Sequence, residues 1–247
     1  MANKNHTLTL DRNSPVPLHH QLKEYLYEQI VRGHWRPNDL IPSEQELQEQ
    51  FGLSRITVRR ALSDLVNEGL LVRERGRGTF VAPPKLTHSP QARRSLTDYM
   101  LQQGIRPGWQ VLDRGFVEAP AEVAEPLEVP AGSPVYCIRR LRLADDQPIG
   151  VHTAYLRADL ADAVDEAALL EGGSLHYLSR LPQMMNARAT RTIEAVAATE
   201  VEARLLHVMP GSPILQITRV VADAQGRPLE YLQARYRGDR FKYQIGD

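Results

Sequence analysis

The fold is decided by SEQELQEQFGLSRITVRRAL, the residues from Ser43 to Leu62. The segment predicts two short helices joined by a tight turn at Gly52. Ser43 is placed to cap the first helix, and Glu46 three residues later completes a capping box. Ser54 is placed to cap the second helix. The stretch therefore predicts a helix-turn-helix.

The second helix of this pair has two chemically different faces. Its apolar residues recur at helical spacing, which predicts a buried face made of Val58, Ala61, Leu62, Leu65 and Val66. The residues left outward near its N-terminus are Arg55, Thr57, Arg59 and Arg60. Arginine and threonine at the start of a helix suit reading of the DNA major groove. A solvated arginine-rich face gives the same pattern, so the helix alone does not decide between them.

The next segment, GLLVRERGRGTFV from Gly69 to Val81, favours the first interpretation. It predicts a strand, a glycine-containing turn and a second strand, with Arg75 and Arg77 at the tip. A helix-turn-helix followed by a basic hairpin is a winged helix. DNA binding is the one function that explains both helices and the hairpin together.

Composition limits the class of protein further. The chain has 247 residues and equal numbers of acidic and basic residues, so the protein as a whole is not basic. Basic charge is instead concentrated on the second helix and the hairpin. This distribution suits a specific DNA reader better than a general nucleic-acid coat. Cys137 is the single cysteine, which excludes an intrachain disulfide framework. The N-terminus lacks an apolar signal core and no apolar run can span a bilayer. We expect a cytoplasmic protein.

The chain is expected to form two domains. Residues 1–82 form the winged helix, and residues 83–92, rich in proline and polar residues, are expected to be a semi-rigid linker. Residues 93–247 form the second domain. Within it, helices are expected near 95–103, 165–171 and 174–181.

The second domain contains an internal repeat. VPAGSPVYCIRR from Val129 matches VMPGSPILQITR from Val208, with an offset of 79 residues that becomes 80 at the following hairpin strand. Each copy predicts a helix, a Gly-Ser-Pro turn and two hairpin strands. Two such copies predict an α+β domain with an antiparallel sheet and a pseudo-twofold axis. The crevice between the halves is a natural place for a small molecule.

The N-terminal motifs resemble those of the GntR family of bacterial transcription regulators. The matching segments are Leu40–Glu44, Phe51–Arg59, Glu68–Leu70 and Arg75–Val81. The second domain is similar to the UTRA ligand-binding domain of the HutC subfamily, which has a chorismate-lyase-like fold. Its matching segments are Ile138–Arg142, Ser174–Leu175, Pro228–Glu230 and Tyr236–Arg240.

The resemblance implies a set of DNA contacts from the helix-turn-helix and the wing. These residues are Ser43, Gln45, Ser54, Arg55, Thr57, Arg59, Arg60, Arg75, Gly76 and Arg77. Gln45 stands where many members of the family have arginine. Arg55 or Arg59 suits bidentate hydrogen bonding to guanine O6 and N7.

The resemblance also implies an effector site. Its residues are Arg140, Arg142, His152, Ser174, Glu230 and Tyr236. Arg140 and Arg142 are two apart on a strand, so they lie on one face and can converge on a phosphate or carboxylate. A solvated or salt-bridged strand face is the alternative. His152 stands where sugar-phosphate-sensing members have glutamate.

These features together imply a dimeric repressor that binds a palindromic operator in double-stranded DNA and responds to a small anion, either a phosphorylated sugar or a carboxylate. No metal, cofactor or membrane partner is expected. A constitutive DNA-binding protein with an unresponsive ligand domain is one alternative. A lyase-like enzyme is the other, and it is disfavoured because no catalytic constellation is evident.

Overall fold

The computed structural model describes residues 10–74, 76–88 and 95–245. The chain divides into two compact units between Pro84 and Lys85. Arg75, expected at the tip of the wing, lies outside the described residues.

The first unit is a three-helix bundle with a hairpin. Its elements are α1 Leu18–Val31, α2 Glu44–Phe51, α3 Arg55–Asn67, β1 Leu71–Glu74 and β2 Gly78–Val81. Leu22, Leu26, Leu47, Val58 and Leu62 are buried together, so the apolar spacing of all three helices points to one core.

The turn and the wing have the backbone geometry that their residues favour. Gly52 ends α2 in the left-handed conformation, with φ 61°, which suits a residue without a side chain. Strands β1 and β2 pair antiparallel. Leu40 adds a bridge to Phe80, and Ile41 N–H donates to the Thr79 carbonyl at 2.9 Å. The predicted winged helix is confirmed.

The second unit is built on a six-stranded antiparallel sheet. Its strands are β4 Pro107–Glu118, β5 Pro134–Ala144, β6 Gln147–Arg157, β7 Arg188–Ala197, β8 Pro213–Ala222 and β9 Pro228–Arg237. The sheet order is β4-β5-β6-β9-β8-β7. Three helices flank it: α4 Leu96–Gln102, α5 Ala121–Leu127 and α6 Glu200–Leu206.

The two faces of this sheet are covered differently. Helices α5 and α6 pack on one face through Val123, Leu127 and Leu206. Helix α4 and a run of short 3₁₀ turns between β6 and β7 cover the other face. The helical segments expected at 165–171 and 174–181 are present as short 3₁₀ helices, Ala167–Leu169 and His176–Leu178, and are shorter than expected.

The internal repeat is visible in the strand register. Thr153 on β6 lies opposite Gln233 on β9, and the two residues are 80 positions apart. Residues related by the repeat offset therefore face each other at the middle of the sheet. The predicted pseudo-twofold axis passes between these two residues.

Part of the expected linker is a strand. Leu86–His88 forms β3, which pairs in parallel with β10, Phe241–Tyr243. The preceding prolines exclude helix but allow extended backbone, and buried Leu86 fixes the strand to the second unit. The prediction of a linker at residues 86–88 was therefore wrong.

Candidate DNA-binding and effector-binding sites

The start of α3 presents a polar surface held by its own cap. Thr57 N–H donates to Ser54 Oγ at 3.3 Å, and the two hydroxyls lie 2.8 Å apart. Val58 on the opposite side is fully buried, whereas Arg55, Arg59 and Arg60 are exposed. The amphipathic pattern thus turns three arginines outward at one helix N-terminus.

An acidic residue that the sequence did not single out joins this helix to the wing. Glu44 on α2 lies 3.6 Å from Arg55 Nε and 3.7 Å from an Nη of Arg73 on β1. Arg73 also donates to Ser63 Oγ on α3 at 3.2 Å. The contacts place basic side chains of both elements side by side.

The remaining expected DNA contacts surround this surface or lie at the wing. Ser43 caps α2 by accepting from Glu46 N–H at 3.2 Å, and exposed Gln45 donates to Glu49 at 3.0 Å. In the wing turn, Gly76 has φ 75°, and the Arg77 guanidinium lies 5.5 Å from the centroid of the Phe80 ring.

In the second unit, Arg140 and Arg142 are both buried, with 1% of each residue exposed. Arg140 donates to the carbonyls of Leu169 and Ser174, both at 2.9 Å. Its guanidinium lies 4.1 Å from the ring centroid of Trp109 and 4.6 Å from that of Tyr177. Burial lowers the pKa of Arg140. Arg140 is therefore not on a solvated face, and it forms no ion pair with any of the described residues.

Arg142 is only partly hydrogen-bonded. It donates to Thr97 Oγ1 at 2.7 Å and to Met100 Sδ at 3.6 Å, and it stacks on Trp109 at 4.4 Å. Within the described part of the chain, its Nε and Nη1 are buried without a hydrogen-bond partner. Burial lowers its pKa to about 10. Such orphaned donors mark a place where an acceptor can bind.

Glu230 is completely buried and is held by two side chains. Arg219 donates to its Oε2 from Nε at 3.2 Å and from Nη2 at 2.8 Å, and Tyr177 donates to its Oε1. Arg219 also donates to Ser174 Oγ at 2.8 Å. Burial lowers the pKa of Arg219, but the Glu230 carboxylate outweighs this and keeps the pKa raised.

His152 and Tyr236 complete the site. His152 Nε2 and Tyr236 Oη are 2.8 Å apart, and Nδ1 of His152 has no partner in the described residues. Burial, followed by the charges of Arg140, Arg219 and Arg142, holds the pKa of His152 well below its usual value. The imidazole is therefore neutral at physiological pH.

The charges in this buried cluster do not balance. Among the described residues, the cluster contains three positive charges, on Arg140, Arg142 and Arg219, and one negative charge, on Glu230. His152 is neutral and adds no charge. Buried charges are costly unless they are paired. The arrangement is suited to binding an anion.

The structure brings together all six residues expected in the effector site, and it adds four others. These are Thr97, Trp109, Tyr177 and Arg219. Arg219 was predictable, since it lies 79 positions after Arg140, at the same place in the repeat. The other three lie outside the repeated segment, where the sequence has no comparable signal.

The fold and the two sites define a DNA-binding protein with a separate small-molecule-binding domain. Residues 18–81 match the family model of bacterial regulatory proteins of the gntR family, and residues 102–242 match that of the UTRA domain. The chain therefore belongs to the GntR family and, with its UTRA domain, to the HutC subfamily.

Named relatives cover almost the whole chain. The HTH-type transcriptional repressor NagR of Bacillus subtilis is 36% identical over 236 residues, 96% of this chain and 97% of that protein. The histidine utilization repressor of Pseudomonas aeruginosa is 33% identical over 205 residues, 83% of this chain and 81% of that protein.

Solved structures agree with this assignment. PhnF from Mycobacterium smegmatis has a TM-score of 0.59 at 28% identity and covers 94% of this chain and 99% of its own. The chain is a ligand-responsive, DNA-binding transcription regulator. None of the helices in the described part of the chain has the length and apolar character needed to cross a membrane.

Proposed function

We propose that this regulator is a dimeric repressor acting in the cytoplasm, and that its effector is a small anion bound at Arg140 and Arg142. The observation that carries the proposal is the charge imbalance: among the described residues, these two buried arginines donate to carbonyls, a hydroxyl and a sulfur atom and to no carboxylate. A bound carboxylate or phosphate would supply the missing negative charge and accept bidentate hydrogen bonds.

The unpartnered atoms indicate how the effector sits. Arg142 Nε and Nη1 can donate to its anionic group, and His152 Nδ1 can bond to a neutral polar group beside it. Oε2 of Glu230 already accepts two hydrogen bonds from Arg219 and Oε1 accepts one from Tyr177, so among the described residues of this cluster the carboxylate has little capacity left for sugar hydroxyls. We therefore favour a carboxylate effector over a phosphorylated sugar, with Ser174 and Tyr236 shaping the cavity.

The DNA-binding half uses the surface around α3. In a twofold dimer, two α3 helices would enter successive major grooves of a palindromic operator. Exposed Arg55, Arg59 and Arg60 suit base and phosphate contacts, while the wing reaches an adjacent groove through Gly76 and Arg77. Ser43, Gln45, Ser54 and Thr57 would contribute polar contacts, and Arg75 remains a proposed contact from its sequence alone.

The effector regulates DNA binding only if its affinity differs between the DNA-competent and released states. We expect it to weaken operator binding and to leave the protein chemically unchanged. Mass spectrometry of the recovered ligand tests the second point, and any turnover would favour the lyase-like alternative.

The direct test is calorimetric titration of the full chain with inorganic phosphate and with a panel of small carboxylates. Arg142→Gln should lower affinity at least about tenfold because a charged hydrogen-bond donor is lost. Arg139→Gln is the matched control, since Arg139 neighbours Arg140 on the same strand but pairs with exposed Asp113 at 2.9 Å. Equal loss in both variants, or no binding of any anion, would contradict the proposal.

A further inference from the structure

Five aromatic side chains form a continuous series of ring contacts across the second unit. Centroid distances are 4.9 Å from Trp109 to His152, 5.2 Å from His152 to Tyr236, 4.0 Å from Tyr236 to Phe241 and 6.4 Å from Phe241 to His88. We call these five residues the aromatic chain. It begins at the buried arginines and ends on strand β3.

The first ring responds to whatever binds the arginines. The guanidinium groups of Arg140 and Arg142 lie 4.1 Å and 4.4 Å from the Trp109 centroid. A cation over an indole ring is attracted by the π-electrons, and an anion competes for the same cation. Binding of an anion to these guanidiniums therefore changes the forces that position Trp109.

The middle of the aromatic chain has little room to absorb a displacement. Tyr236 is hydrogen-bonded to His152 and lies parallel to Phe241, with 9° between the ring planes. On the neighbouring strand, a Cβ added to Gly150 would lie 2.6 Å from Tyr236 Cδ1, so the ring lies directly against the backbone. Close-packed groups of this kind transmit a shift to their neighbours.

The far end of the aromatic chain lies on the smaller sheet of the unit. Strands β3 and β10 form a two-stranded sheet, held by Leu86 N–H to the Arg240 carbonyl and Gln244 N–H to the His88 carbonyl, both 2.8 Å. A two-stranded sheet is marginally stable without support. Here Phe241 of β10 contacts His88 of β3 and stacks on Tyr236 of β9, so it attaches the two-stranded sheet to the six-stranded one.

Strand β3 follows directly after the boundary between the two units of the chain. It is the first element after the boundary between Pro84 and Lys85, so it anchors the segment that leads from the DNA-binding unit. Release or tightening of β3 changes the length of chain that is free to move between the two units.

We propose that the aromatic chain couples the effector site to the attachment of β3, with Phe241 and His88 acting as positioning residues. The inference rests on the proposed function, which places an anion at Arg140 and Arg142. The anion draws the guanidiniums away from Trp109, the rings repack, and the equilibrium between attached and detached β3 shifts.

Hydrogen exchange of the full chain, with inorganic phosphate as the probe, tests the coupling. Binding is followed by Trp109 fluorescence in a Trp35→Phe background, since Trp35 belongs to the first unit's core. We expect saturating phosphate to change exchange at β3 and β10 about fivefold. Phe241→Leu should keep the phosphate affinity and lose this change.

The control is Phe116→Leu, the same substitution on a ring that pairs with Tyr136 and is 59% exposed. It should keep both the affinity and the exchange response. The inference is overturned if phosphate binds without altering exchange at β3, or if Phe241→Leu keeps the full response.

A ligand-free arm separates this inference from the proposed function. Trp109→Leu should speed exchange at β3 in the otherwise normal protein but add nothing in the Phe241→Leu background, because coupled residues are not additive. His88→Asn, which removes the last ring of the aromatic chain and leaves the effector-site residues intact, replaces Phe241→Leu if that variant fails to fold. Additive effects overturn the coupling. If phosphate does not bind, the proposed anion site is contradicted. The ligand-free variants then test the coupling between Trp109 and β3 by themselves.

Discussion

Arg140 and Arg219 occupy equivalent positions in the two copies of the internal repeat, but within the part of the chain that the structure describes Arg219 has a carboxylate partner and Arg140 has none. Arg219 is paired with Glu230 at 2.8 Å, whereas Arg140 donates to two backbone carbonyls. One half of the pseudosymmetric domain is therefore neutralised by the chain itself. The other half keeps its positive charge and is the side on which an external anion is expected.

Removing the two partners of the buried ion pair should lower the free energy of unfolding by unequal amounts. Glu230→Gln leaves three buried arginines without a carboxylate and should cost about 3–5 kcal/mol in the free energy of unfolding. Arg219→Gln should cost less, because Glu230 keeps its Tyr177 partner and two arginines remain nearby. Urea unfolding measures both values.

Phosphate should restore part of the loss in Glu230→Gln, since a bound anion replaces the missing charge and stabilises the folded state that binds it. A larger loss in Arg219→Gln than in Glu230→Gln would contradict the charge argument.

The contribution of Ser54 to stability, as the N-cap of α3, can be measured separately from its proposed role in DNA binding. Ser54→Ala should cost about 1 kcal/mol in the unfolding of the first unit. Ser54→Asp should keep that stability, because aspartate is an equally good cap, yet it should abolish operator binding by repelling phosphates. Thermal unfolding and fluorescence polarisation on the same samples test the pair. Normal DNA affinity in Ser54→Asp would place the cap outside the interface.

Base contacts and phosphate contacts should have different signatures on DNA from the region upstream of the chain's own gene. Arg59→Ala should lower specific affinity by about 1–3 kcal/mol and affect random DNA much less. Arg77→Ala should weaken both and reduce the salt dependence by about one unit of slope. Arg32→Ala is the control, because Arg32 caps the C-terminus of α1 and pairs with Glu28. Equal binding of specific and random DNA by the unaltered protein would refute sequence-specific recognition.

The second unit should lose stability in mild acid. Burial, followed by the charges of Arg191 and Arg219, lowers the pKa of His88 to about 4, and burial also holds the pKa of His152 well below its usual value. Between about pH 6.5 and pH 4 the unfolded chain binds the extra proton at His88, so the free energy of unfolding falls as the pH falls.

His88→Asn should flatten this part of the pH profile, measured by urea unfolding between pH 7 and 5. Tyr243 also lies beside His88, at 5.3 Å between ring centroids, and it stays protonated throughout this range because burial raises its pKa. An unchanged slope in His88→Asn would show that His88 is not buried in its neutral form.

Local patterns were enough to predict the first unit. The capping box at Ser43, the turn at Gly52 and the apolar spacing of α3 involve residues close in sequence, and each specifies its own geometry. The repeat likewise predicted the two halves of the sheet and their pseudo-twofold axis. The structure agrees, since Thr153 pairs with Gln233, which lies 80 residues later in the chain. Strand β3 was missed because its pairing partner lies at the other end of the chain.

By itself, the sequence determined the winged helix, the two-copy sheet and the six residues that lie together around the buried arginines. Only the tertiary structure decided which arginine is neutralised, because Glu230 reaches Arg219 from a neighbouring strand and Tyr177 arrives from a separate turn. Likewise, Trp109 lies against Arg140 and Arg142 only because β4 pairs beside β5. Charge balance in a buried site depends on which charged side chains the fold brings within a few ångströms of each other. Their separation in the sequence does not give their distance in space.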